Sequence, residues 1–147
     1  MIRYRVMTID DYESVYDLWI HTPGIGLNST DDSREGIDQY LRRNPTTSFV
    51  ALEDEKIIVA IMAGHDGRRG FIYHTAVSVS HRKQGIGKCL TAHAMAALEE
   101  EGIHKVALVA FKENDMGNAF WENIGFYDRK DLVYRNKAIH ELKRIDT

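Results

Sequence analysis

Apolar residues recur along this chain at two spacings, and the switching between them lays out most of its elements. Ile2, Tyr4 and Val6 alternate with Arg3 and Arg5, which predicts a half-buried strand over 1–7. Thr8, paired with Asp11, opens a helix whose inner stripe is Val15, Leu18 and Trp19. The segment 21–31 holds Pro23, Gly24, Gly26 and Asn28 and reads as a loop. Asp32 is placed to cap a second, shorter helix that turns Ile37, Tyr40 and Leu41 inward and ends at Pro45.

The runs 48–53 and 56–64 are apolar strands around the Asp54-Glu55 turn. Residues 63–70 form a second turn rich in glycine and charge, and a third apolar run, 71–79, follows it. Helical spacing returns over 87–101, with Ile86, Leu90, Ala94, Ala97 and Leu98 on one face and Gly102 as the stop. Residues 105–111 are almost wholly apolar, as expected of a strand covered on both sides. A short helix over 115–123 carries Phe120 and Trp121 and stops at Gly125. The runs 126–129 and 132–139 fit a last hairpin around Lys130-Asp131. No repeat or linker interrupts this order, so a single domain over 1–147 is expected.

A chain of 147 residues, 44% hydrophobic and 28% charged, is long enough for a real core and shows no disordered or fibrous bias. No apolar run reaches membrane-spanning length and the first residues lack a signal-peptide layout, so a cytoplasmic protein without a membrane partner is expected. Cys89 is the only cysteine, which excludes an intrachain disulfide and a cysteine metal cluster. The seven histidines are scattered, none in a His-Glu-x-x-His arrangement, so no metal is expected. A net charge of -3 argues against nucleic acid as the main partner.

The stretch 77–88 carries the chemistry. It reads as a strand end, a basic glycine turn and the first turn of a long helix. A helix start leaves backbone N–H groups unpaired and partly positive, which suits a phosphate. Gly85 and Gly87 remove side chains from that backbone, while Arg82, Lys83 and Lys88 add full charge. The P-loop pattern fails because Cys89 follows Gly87-Lys88, and the dinucleotide fingerprint fails because Leu90 replaces its third glycine.

Arg82-x-x-Gly85-x-Gly87 leading into a helix resembles the acetyl-CoA pyrophosphate loop of the GNAT N-acetyltransferase superfamily. Asn114, the aromatic Trp121 seven residues on, and Gly125-Phe126 keep the spacing of a second GNAT signature. The element order matches over nearly the whole chain. The resemblance implies a mixed α/β (α+β) fold, a central sheet of about seven strands with four helices, the strands ending near Val79 and Phe111 splayed apart. It further implies an acetyl-CoA cosubstrate, with backbone contacts from Ala76, Val77, Ser78 and Val79. Its phosphates would sit on Arg82, Lys83, Gln84, Gly85, Ile86, Gly87 and Lys88, and Asn114 would hydrogen-bond the pantetheine arm. Helix capping is the competing role for Asn114.

The implied reaction is direct acetyl transfer to a primary amine of a small molecule or peptide N-terminus. It needs a base for the ammonium, donors for the oxyanion (a strand N–H near Val77) and an exit for the thiolate. The family's usual acid is a tyrosine where this chain has Trp121, whose indole delivers no proton; Tyr127 and Tyr134 are the substitutes. Where some members carry a glutamate base, this chain has Val109. His74, in mid-strand, is the preferred base, since an imidazole titrates at about 6.5. Its competing role is a buried, satisfied histidine. Asp31-Asp32, at the end of the first interhelical loop, are candidates for attracting a cationic amine, with helix capping the alternative for Asp32. Three rivals stay open: a non-catalytic acetyl-CoA-binding module or sensor, an RNA-directed acetyltransferase and a structural partner protein. A homodimer through 132–139 is compatible with catalysis.

Overall fold

A computed structural model describes residues 1–145. Its centre is a five-stranded sheet in the order β1-β3-β4-β5-β6, formed by β1 (Ile2–Val6), β3 (Phe49–Glu53), β4 (Lys56–His65), β5 (Gly70–Val77) and β6 (Val106–Leu108). The first four pair antiparallel and β6 lies parallel to β5. Two further short strands, β2 (Leu27–Asn28) and β7 (Arg144–Ile145), pair with each other. Five of the seven expected strands thus form the central sheet, while β2 and β7 arise where no strand was expected.

Helices α1 (Tyr12–Ile20) and α2 (Arg34–Arg43) cover one face of the sheet, where Trp19, Val15, Ile37, Leu41 and Met62 make one core. Helix α3 (Ile86–Glu100) covers the other with Ile86, Leu90, Ala94 and Leu98, which pack on Val59, Ile61 and Ile72. The fourth helix, α4 (Asp115–Asn123), follows β6. The chain enters α1 through a 3-10 turn at Ile9–Asp11, where Thr8 N–H donates to Asp11 Oδ2 at 2.9 Å. Among the described residues no helix is long and apolar enough to cross a membrane.

Three expectations change. The run 105–111 yields only three strand residues: Val106 and Leu108 pack on the α3-side core, whereas Ala107, Val109 and Phe111 are exposed, so only one face of this run is covered. The hairpin over 126–139 does not form. That segment is irregular and exposed, leaving Tyr127, Leu132, Val133, Tyr134 and Ile139 in solvent. Finally, α2 is capped by Ser33, whose hydroxyl accepts from Gly36 N–H, and not by Asp32.

Candidate active site

β5 carries one residue more than β4 across their pairing, because Ile61 faces Thr75 while Ala63 faces Ile72. Such a bulge breaks the alternation of side chains along a strand. Tyr73 and His74 both turn to the α1–α2 side: the Tyr73 ring meets Tyr40 of α2 and the His74 ring meets Trp19 of α1. Parallel pairing with β6 stops at Ile72↔Leu108, whereas β5 continues paired to β4 as far as Val77↔Val59. The β6-facing edge of residues 73–77 is therefore open, the splay that the resemblance implies.

Backbone geometry selects which groups face that gap. Ser78 N–H donates to Ile58 O at 2.7 Å, and Ala76, two residues back, turns the same way toward Ala60 of β4. Val77 lies between them, so its N–H and C=O point into the gap. Of the four expected backbone contacts, Val77 keeps a free edge; Ala76 and Ser78 spend theirs on β4. Val79 is not strand at all but begins a 3-10 turn, Val79–His81. Beside this edge the Thr75 hydroxyl is buried without a hydrogen-bond partner.

The basic turn bends through two left-handed residues. Lys83 (φ 62) and Gly85 (φ 78) are both left-handed, a state that costs an L-residue roughly 1–2 kcal/mol. Gly85 caps α3, and a Cβ there would meet nothing within 4 Å. Cys89 N–H makes the first bond back to Gly85 O, which leaves the N–H groups of Ile86, Gly87 and Lys88 available. Lys83, Gln84 and Lys88 are exposed and Arg82 is half-buried. Gly87 has a different role from Gly85. It is buried, and a Cβ would lie 3.3 Å from Val77 Cγ2 and 3.6 Å from Phe120 Cζ, so its bareness serves helix–strand packing.

His74 and Asp32, 42 residues apart in sequence, meet here. His74 Nε2 lies 2.7 Å from Asp32 Oδ1, with side chains 13% and 4% exposed. Asn28 N–H donates to the other carboxylate oxygen at 2.8 Å, and the Tyr12 hydroxyl donates to Asp32 O at 2.6 Å. A carboxylate only accepts, so Nε2 carries the proton and Nδ1 is left as the basic nitrogen. Trp19 stands edge-on to the imidazole at 4.9 Å. Asp31 remains exposed, so the two adjacent acids separate into different tasks.

The other expected residues fall less centrally. Trp121 is half-buried against Phe120 and Phe126 (4.9 and 5.3 Å between ring centres) and is a packing residue, not an acid. Tyr127 and Tyr134 are 74% and 66% exposed. Asn114 Oδ1 accepts from Gly117 N–H at 3.0 Å, capping α4. A second histidine–carboxylate pair, partly exposed, escaped the sequence reading. His81 Nε2 is 2.8 Å from Glu53 Oε1 and its Nδ1 2.9 Å from Ser80 Oγ, tying the turn before the phosphate loop to the end of β3. The hydrogen bond from His81 holds the Glu53 carboxyl below its ordinary range. Residues so far apart in sequence leave no local signal of such pairing. Among the described residues no group of three or more His, Cys, Asp or Glu side chains is arranged to hold a metal.

The model of the acetyltransferase (GNAT) family matches residues 12–126. An acetyltransferase of Pectobacterium atrosepticum is 28% identical over 137 residues, 93% of this chain and 95% of its own. AAC(6')-Iy, solved with the bisubstrate analogue CoA-S-monomethyl-acetylneamine, superposes at TM-score 0.72 and 20% identity, covering 94% of this chain and 99% of its own. An acetyltransferase from Clostridium acetobutylicum solved with acetyl-CoA superposes at 0.72 and 23% identity, covering 92% and 96%.

Proposed function

This chain belongs to the GNAT acetyltransferase family, and from that premise we propose that it moves the acetyl group of acetyl-CoA to a primary amine of a small molecule or peptide N-terminus. The observation that carries this reading is the 2.7 Å pair of His74 and Asp32 on the bulged part of β5, three residues before the free Val77 amide. The open β5 edge and the unobstructed start of α3 fit acetyl-CoA. Arg82, Lys83, Gln84, Lys88 and the amides of 86–88 would hold its diphosphate, and Val77 its amide-bearing arm. The thioester supplies an activated acetyl group with a thiolate leaving group.

His74 Nδ1 takes the proton from the acceptor ammonium, and Asp32 stabilises the resulting imidazolium while fixing the ring. The Val77 N–H donates to the oxyanion as charge gathers there. A thiol of pKa about 8.5 leaves well enough unprotonated, so packing Trp121 into the core removes no required step. His74→Ala is expected to lower turnover at neutral pH by roughly a hundredfold. An unchanged pH–rate profile in that variant, with thiol release as the readout, would take His74 out of the mechanism. CoA binding without turnover over a broad amine panel would support the sensor reading instead.

A homodimer is part of this proposal. Leu132, Val133, Tyr134 and Ile139 are 59–93% exposed along one segment. Light scattering is expected to give twice the chain mass, and Val133→Asp with Ile139→Asp to give the monomer; a monomeric wild type at micromolar concentration rejects it.

A further inference from the structure

Next to His74 on β5 stands a second cluster that proton transfer does not use. The Phe71 and Tyr73 rings lie 4.7 Å apart, and Tyr73 meets Tyr40 edge-on at 5.8 Å and 89°. An unbulged strand would turn Tyr73 away from His74; the extra residue turns both to the same side. Tyr73 is nonetheless 52% exposed, so one part of its ring is packed and another faces solvent. The 2.7 Å contact of Asp32 with His74 brings Asp31, the residue before Asp32, to the stretch of β5 that carries Tyr73.

Asp31 differs from Asp32 in that no histidine is paired with it. Asn28 fixes it, through Nδ2 to Asp31 Oδ2 at 3.1 Å and from Asp31 N–H to Asn28 Oδ1 at 2.7 Å. Among the described residues no salt bridge compensates its charge. An aromatic face beside an uncompensated, pre-positioned carboxylate is an environment for an organic ammonium. An uncharged aromatic ligand would use the rings but gain nothing from Asp31.

We propose that Tyr73 and Asp31 form a subsite for a second positive charge on the acceptor, so that this enzyme acts on diamines and larger polycationic amines in preference to monoamines. The inference rests on the reading above, in which the reacting amine lies at His74. The subsite acts on affinity, and the base acts on turnover. The two are therefore separable.

The test is calorimetric titration of the full chain, loaded with CoA, with putrescine and with butylamine as the matched monoamine. Putrescine is expected to bind about tenfold more tightly or better. Asp31→Asn and Tyr73→Ala are each expected to bring the ratio of the two affinities close to unity, and Tyr73→Phe to preserve it, since the ring face remains. Asp31 is exposed, so its variant reports even where Tyr73→Ala fails to fold. Equal affinities in the wild type, undetectable binding of putrescine at tens of millimolar, or a preference that survives both substitutions overturns the subsite. His74→Ala is expected to keep the preference while losing turnover. A wild type that prefers putrescine but never acetylates it retains the subsite and overturns the transfer reading.

Discussion

Asp11 is buried, with 7% of its surface exposed, yet it keeps its charge. Burial alone would push its carboxyl up; the Arg5 guanidinium, bonded to both oxygens at 2.8 Å, and the Thr8 N–H outweigh that and hold it below the ordinary value. The sign follows directly. A carboxyl whose folded pKa is depressed lends stability above its unfolded pKa of about 3.8 and loses it as pH falls through the folded value. Arg5→Leu should therefore destabilise the protein at neutral pH by roughly 2–3 kcal/mol, because it strands a buried carboxylate. Thermal unfolding from pH 7 to below pH 3 is expected to show the two proteins converging at the acid end; a constant gap would refute the assignment. Cys89 has a quiet role by contrast: burial first and the neighbouring Cys89 thiol second push the Tyr4 phenol up to about 12.

The phosphate turn and α3 show how far local pattern reaches. A glycine turn, a run of bases and a helix start are all local features, and each was readable in residues 82–88. The same pattern did not separate Gly85 from Gly87, because the second glycine answers to Val77 and Phe120, which only the folded chain brings near. Gly85→Ala is expected to cost about 1 kcal/mol of stability and weaken CoA binding measured by calorimetry, since αL geometry is lost to a side chain. Unchanged affinity would move the diphosphate elsewhere. Strand periodicity located β1, β3, β4 and β5 to within two residues, yet it overextended β6 and placed a hairpin over 126–139. An apolar run announces burial, and here the partner surface needed for burial is missing on one side of β6. The bulge in β5 and the His74–Asp32 pair left no trace in spacing, because the first depends on strand pairing and the second on how the turn before α2 packs against β5.

At the scale of the whole molecule, the sheet separates two tasks. The α3 face and the open edge of β5 present the groups proposed for acetyl-CoA, while the α1–α2 side presents His74, Asp32 and Tyr73. β5 adds to these faces the open edge at Val77, and its one extra residue sets which side chains it turns toward α1 and α2. The small β2–β7 pair adds a connection between distant parts of the chain. Ser29 N–H donates to Lys143 O at 2.9 Å, and Leu27 and Asn28 face Ile145 and Arg144. Asn28 is also the residue that holds both Asp31 and Asp32. Residues 143–145 are thus tied to the loop that carries Asp31 and Asp32. A protease nick in the exposed strap that leads to β7 is expected to loosen Asp32 and, through it, the His74 imidazole.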